Sequence, residues 1–400
     1  MKIGIATLFA PSNYGNALQM LSLQRYLSEH GHEAEILRHW LSPKCAELRY
    51  YHNRIATIRG LARFVFDVLS FGGAWSNFVR EHRMTKWVYR NYRMSDLAGA
   101  DGEFPVAQLK YDCVVAGSDQ IWNPKYKWPE FNLLKDIPDK ILRVAYAGSF
   151  GTDDRSFFDV ERFVPALLKF KAISVREASA KKIINEMFAL PADLVCDPTL
   201  LHTRDEWCKL LGIKKVLQEE ESYVVYMVTP DFRRQWKTLI RLAKETRKRI
   251  HFFAFSSYAA TSVDARHPIK TIVKTIGNLC RPFYLRLCGV RLHMTATPDE
   301  FVYQLSRAKG VFTDSFHGLM FATIFGKPCN VSIGMNPDRL LMSARLKDFI
   351  TEFSNSQMLS QGFDVGSLRM AEITPKLQLL IDDSKLWLNG VLAGEHHKVP

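Results

Sequence analysis

The chain has 400 residues, 47% of them hydrophobic and 24% charged, with a net charge of +13. That length exceeds one ordinary core, so two domains are expected, and the composition excludes a disordered or fibrous chain. The positive balance favours acidic partners such as phosphates, anionic sugars, nucleic acid or an anionic lipid surface, and seven cysteines with no CxxC pair argue against a disulfide framework and a zinc site.

In chain order, the opening apolar run breaks at Pro11 without a small-residue cleavage pattern, so a strand at 2–8 is expected rather than a signal peptide. No run of eighteen apolar residues follows, so no membrane span is expected. The location expected is cytoplasmic, the inner face of the membrane included. Short apolar runs then alternate with helical stretches, which predicts parallel sheets covered by helices. Candidate strands are 33–37, 113–116, 144–147 and 172–175, then a second set at 223–228, 251–254, 310–313 and 329–333. The acidic, Gly-containing stretch 203–222 separates the sets. Domains are expected at about 1–205 and 206–345, followed by helices in 346–400 of which the last, at about 375–391, returns to the first domain. Residues 38–93 carry eleven basic residues against three acids, interleaved with apolar and aromatic ones, which predicts a helical insertion with a basic face. Residues 265–297 carry six arginines and lysines and no acid.

Three strand-to-helix loops hold the chemistry-bearing residues, and such carboxyl ends are where open parallel sheets collect ligands. In Asn13-Tyr14-Gly15-Asn16, before a helix expected at 17–29, Gly15 allows close backbone approach and the helix start offers N–H groups to an anion. An Asn-capped turn would read the same way. In Gly117-Ser118-Asp119-Gln120-Ile121-Trp122-Asn123, Asp119 could take a proton from a sugar hydroxyl and Trp122 could stack on a sugar face. The alternative is an Asp cap and a core Trp. In Thr313-Asp314-Ser315-Phe316-His317-Gly318, Ser315 and His317 stand at a helix start that favours phosphate, and His317 suits proton transfer near neutral pH. Arg176 ends the strand 172–175 and would suit a carboxylate or phosphate, or else pair with Glu177 or a nearby acid.

Together with Ala145-Tyr146-Ala147-Gly148-Ser149-Phe150-Gly151, Ser174-Val175-Arg176-Glu177, Asp197-Pro198-Thr199-Leu200 and Gly326-Lys327-Pro328, these segments run in an order that resembles the polysaccharide pyruvyl transferase family. The resemblance implies an α/β fold of two Rossmann-like doubly wound domains facing a cleft, similar to GT-B enzymes. It implies phosphoenolpyruvate as co-substrate, no other cofactor and no metal. The reaction implied moves the enolpyruvyl unit onto two hydroxyls of a sugar in a polysaccharide precursor, forming a pyruvate ketal. His317 is then expected as acid and Asp119 as base. Arg176, Ser315, Gly318 and Arg345 are expected at the donor, and Asn13, Tyr14, Asn16, Ser118 and Trp122 at the acceptor. Some members carry Arg where this chain has Ser315, so Arg345 or Arg339 is expected in its place. The acceptor forms expected include a lipid-diphosphate-linked sugar, steered by Arg59, Arg63, Arg80 and Arg83 at a membrane surface. The rival readings are a GT-B glycosyltransferase using a nucleotide sugar, and a nucleic-acid or membrane-surface module. Nucleic acid is not an expected partner, because it leaves the polar strand-end loops without a role.

Overall fold

Strand β1 (Lys2–Ala6) has Ile3, Ile5 and Ala6 wholly buried, and a strand buried on both faces needs cover above and below. The computed structural model describes residues 1–8, 13–37, 73–95, 110–125, 132–214, 219–228, 232–254, 282–333 and 344–395. The first sheet joins β1 to β2 (Glu33–Ile36), β3 (Cys113–Ala116), β4 (Leu142–Gly148), β5 (Ala172–Val175) and β6 (Asp193–Leu194). All are parallel, in the order β2-β1-β3-β4-β5-β6. Its helices are α1 (Tyr14–Glu29), α2 (Gly73–Asn91), α3 (Val160–Leu167), α4 (Ala178–Lys182) and α5 (Arg204–Leu210).

The second sheet comprises β7 (Glu220–Met227), β8 (Arg249–Ala254), β9 (Val290–Leu292), β10 (Ala308–Thr313), β11 (Lys327–Ile333) and β12 (Leu359–Gln361). These six are parallel in the order β12-β11-β10-β7-β8-β9, and β13 (Arg369–Ala371) joins β11 antiparallel. The accompanying helices are α6 (Phe232–Thr246), α7 (Pro298–Arg307), α8 (Phe316–Ile324), α9 (Ala344–Phe353) and α10 (Pro375–Ala393). Both orders are doubly wound: the first is flavodoxin-like and the second is the Rossmann order, each with one point where the winding reverses. The reversals lie between β1 and β3 and between β7 and β10. Two doubly wound α/β units are what the alternating sequence pattern predicts.

The two units share a core. One apolar cluster runs from Ile3, Leu18 and Leu21 of the first unit to Phe301, Phe321 and Val331 of the second. Helix α1 is the shared element: Tyr14 stacks on Phe301 with ring centroids 5.3 Å apart and lies 5.7 Å from Tyr226. Helix α10 packs on the first unit, where Cys196 N donates to Ser384 Oγ (2.8 Å), Trp387 Nε1 to Asp193 (2.8 Å) and Asn389 to the Tyr26 hydroxyl (3.1 Å). Among the described residues no helix is long and apolar enough to cross a membrane.

Helix α2 corrects the reading of the basic insertion, of which residues 38–72, with Arg59 and Arg63, lie outside the described residues. Arg80 is buried, with Nη1 on the carbonyls of Ala254 (2.6 Å) and Met294 (3.5 Å) and its guanidinium 4.9 Å from the Tyr14 ring centre. Arg83 donates to the Thr295 carbonyl (2.9 Å) and to Glu300 (2.8 Å). These two arginines strap the first unit to strand ends of the second instead of facing a substrate. Arg80→Ala should lower stability by about 1.5–3 kcal/mol, as for lost hydrogen bonds to a buried charged group. Arg83→Ala, at a half-exposed pair, should cost under about 1 kcal/mol. Urea unfolding of both variants checks the ranking.

Candidate active site between the two reversal points

Asn13 caps α1 by accepting from Asn16 N (3.2 Å), so the helix starts at Tyr14 and carries Asn16 to the reversal between β1 and β3. There Asn16 Nδ2 donates to Asp119 Oδ2 (3.0 Å). Asp119 follows β3 with φ at 77°, a left-handed conformation that Asp tolerates better than most residues. Its Oδ1 accepts from the next backbone N–H, Gln120 N, at 2.9 Å.

Arg176, directly after β5, is fully buried and meets three carboxylates from three strand ends. It donates to Asp197 Oδ2 (2.6 Å), Asp119 Oδ1 (3.2 Å), Glu177 Oε1 (3.0 Å) and Ser118 Oγ (3.2 Å). Its guanidinium also lies 4.7 Å from the centre of the Phe316 ring. Arg345, from the first turn of α9, brings Nη1 to 3.6 Å from Asp119 Oδ1 and lies 5.8 Å from the same ring. Asp348 on that helix accepts from Ser179 N of the first unit (3.2 Å). Burial alone would raise the Asp119 carboxyl, but Arg176, His317 and Arg345 hold it below its ordinary range. Asp197 is likewise held well below against its burial, by His317 and Arg176. Burial wins at Glu177, whose carboxyl stays above its ordinary range despite Arg176 and Arg345.

The second reversal point supplies the histidine. Thr313 Oγ1 donates to the Tyr226 carbonyl (2.8 Å) and Val228 N to Asp314 (2.7 Å), which joins the ends of β7 and β10. Ser315 caps α8 by accepting from Gly318 N (3.4 Å). His317, in the first turn, then points across the seam, with Nε2 3.7 Å from Asp197 Oδ2. Asp197 is anchored on its other oxygen by Thr199 N (3.0 Å) and Thr199 Oγ1 (2.7 Å). A methyl group at Gly15 would overlap the imidazole, and one at Gly318 would overlap Thr313, so both glycines are there for close approach. The two reversal points therefore face each other, with His317 and Asp197 meeting between them. Among the described residues, no group of three or more His, Cys, Asp or Glu is placed to hold a metal ion.

The polysaccharide pyruvyl transferase family model matches residues 13–332, which includes Asn16, Asp119, Arg176, Asp197 and His317 and leaves out β1, Arg345 and Asp348. The chain belongs to this family. No curated protein sequence matches it. Among solved structures it is similar to the UDP-GlcNAc 2-epimerase of Methanocaldococcus jannaschii, at 12% identity over 87% of this chain and 91% of that one, with a TM-score of 0.45. It is also similar to S. aureus MnaA with UDP, at 9% identity, 100% and 99% coverage and a TM-score of 0.48. A third is the E. coli heptosyltransferase WaaC with ADP, at 12% identity, 97% and 99% coverage and a TM-score of 0.39. Likenesses this distant say nothing of substrate.

Within this family member, the structure gathers His317, Asp119, Arg176, Ser118, Asn16, Ser315 and Arg345 around one seam. Six of the expected residues change role. Arg176 has all its partners inside the protein, so it is an anchor for Asp119 and Asp197 rather than a free donor-binding cation. Trp122 is wholly buried, packed on Phe150 and Phe170, with its N–H on the Asn132 carbonyl, and has no face for a sugar. Tyr14 is buried between the units, and Asn13 is spent on the cap and on Tyr226, whose hydroxyl lies 3.4 Å away. Gly318 N–H is taken by Ser315, so that pair closes the helix start on itself. Arg339 lies outside the described residues. Asp197 and Glu177 were given no catalytic or binding role from sequence; their signal was membership of the family-matching segments and, for Glu177, the expected pairing with Arg176.

Arg176→Ala should cost about 3–5 kcal/mol of stability, because it leaves Asp197 buried without a counter-charge. Urea unfolding measures this, and a selective loss of donor affinity in a fully stable variant would contradict it. The depressed carboxyls of Asp119 and Asp197 stabilise the fold at pH values above about 3.9, the unfolded-state value, and that contribution is lost as pH falls through their folded values. Asp197→Asn should therefore lower the melting temperature at pH 7 while flattening its decline between about pH 4 and 2.

Proposed function

We propose that the chain transfers the enolpyruvyl unit of phosphoenolpyruvate to two hydroxyls of a sugar, with His317 as the acid. The observation that carries this reading is His317 standing at the start of α8, 3.7 Å from an anchored, ionised Asp197 and beside Arg345 and Asp119. Phosphoenolpyruvate brings a phosphate and a carboxylate. Arg345 and the first-turn N–H groups of α8 that the Ser315 cap does not take would receive them, since cations and helix N–H groups are what such groups need.

His317 as imidazolium gives its proton to the methylene carbon, which leaves C2 cationic in character. One sugar hydroxyl adds to C2, and its proton restores His317. Phosphate leaves, the second hydroxyl adds to C2, and the second proton departs with the phosphate. The products are a cyclic ketal and inorganic phosphate. Asp197, 3.7 Å from Nε2, faces the imidazole and holds its orientation. Asp119, ionised and with both oxygens engaged, would orient an acceptor hydroxyl as a hydrogen-bond acceptor; its depressed carboxyl makes it a weak base. Holding both hydroxyls near C2 can supply roughly 7–11 kcal/mol of the barrier reduction. The chain's own cations carry this scheme, with phosphoenolpyruvate as co-substrate.

Incubation with phosphoenolpyruvate and sugar acceptors, free and lipid-diphosphate-linked, should release phosphate and add one pyruvate ketal per sugar by mass spectrometry. His317→Gln should lower kcat by about 10²–10⁴-fold with a small change in the Michaelis constant for the donor. Arg345→Ala should chiefly raise that constant. Consumption of a nucleotide sugar with no turnover of phosphoenolpyruvate would overturn the reading in favour of glycosyl transfer.

A further inference from the structure

Away from the seam, the chain between β8 and β9 ends in a helical segment, 282–287, which leads into β9 at the edge of the second sheet. Leu285 is wholly buried and belongs to the apolar cluster of Leu239, Leu242, Phe252 and Val290, so the segment is fastened to the sheet. Its opposite face is turned outward. Phe283, Tyr284 and Leu287 are exposed to 69%, 51% and 71%, and their spacing of one and three residues puts them on one side of a helix. Among the described residues, no other five-residue stretch leaves three large apolar side chains so exposed.

Arg286 and Arg291 are exposed, and the sequence from 282 to 297 holds no acid. Neither the seam nor its chemistry uses any of these side chains. Exposed aromatic and aliphatic tips with exposed arginines close by in sequence match a lipid interface: rings and leucine enter the headgroup boundary while guanidinium groups meet anionic headgroups. A bilayer asks for no shape complementarity, whereas protein partners bury their anchors in pockets.

We infer that the surface formed by Phe283, Tyr284, Leu287, Arg286 and Arg291 docks the protein on an anionic lipid bilayer. This does not rest on the reaction proposed above; a membrane-docked enzyme of another activity would use the same face. The contact is peripheral, and its strength combines a small inserted apolar area with headgroup attraction that salt weakens.

The test is co-sedimentation of the full-length chain with phosphatidylcholine vesicles, with and without phosphatidylglycerol, at low and high salt. Binding is expected to the vesicles containing phosphatidylglycerol and to weaken at high salt. Phe283→Ser with Leu287→Ser should weaken it at least about tenfold through lost apolar burial. Arg286→Gln with Arg291→Gln should weaken it about 25-fold, at roughly fivefold for each charge removed. Circular dichroism and melting should show both pairs folded, because the altered side chains are exposed. Anionic-vesicle binding that neither pair changes would overturn the inference and direct attention to residues 38–93. No binding at all would also overturn it, as would a dimer in analytical ultracentrifugation that Phe283→Ser with Leu287→Ser dissociates.

Discussion

A guanidinium with no exposed surface has to be neutralised where it stands, and Arg176 is neutralised by carboxylates that follow β3, β5 and β6. The cost of burying these charges is met only while all of them are present and hydrogen-bonded. The cluster thus fixes three strand ends of the first unit relative to one another. It also decides which carboxyls are ionised: Asp119 and Asp197 are held down by the cations, while Glu177 is pushed up by burial. Asp197 reaches the second unit through His317, as Asp119 does through Arg345. The orientation of the proposed acid therefore depends on an arginine that need not touch any substrate.

The second constraint is packing. The apolar cluster passes from one unit into the other through α1, and Arg80 and Arg83 fasten strand ends of the second unit to α2. An interface this apolar resists relative motion more than the polar contact of two independent domains would. It also brings the two reversal points close enough for a side chain on each side to meet. Gly15 is where this closeness is visible, since only a residue without Cβ leaves room for the imidazole.

Much of this was legible in the residues, for identifiable reasons. Runs such as Cys113–Ala116 read as strands because burial on both faces removes polar residues. β6, β9, β12 and β13 were missed because two or three residues at a sheet edge carry no period. The start of α1 was set three residues late, since Tyr14-Gly15-Asn16 reads as loop until Asn13 is seen to cap it. At the site, His317 and Asp119 could be picked out because chemistry-bearing residues stand at strand ends. The saturation of Arg176 could not, as its partners Asp119 and Asp197 lie 57 and 21 residues away in sequence. Trp122 looked like a stacking residue because polar residues surround it in sequence; in space Gly148 opens a slot that takes the indole into the core. Arg80 and Arg83 looked like part of a basic face that steers an acceptor, because sequence does not show which carbonyl ends of another sheet lie opposite.

Helix α1 is buried almost all the way round: from Tyr14 to Leu27 only Arg25 reaches solvent, and the cover comes from both units. Its amide protons can meet water only when the two units part or the whole chain unfolds. Hydrogen exchange along α1 is therefore a built-in gauge of how often the seam opens. A molecule that bridges Asp197 and His317 would slow that exchange without touching the helix itself.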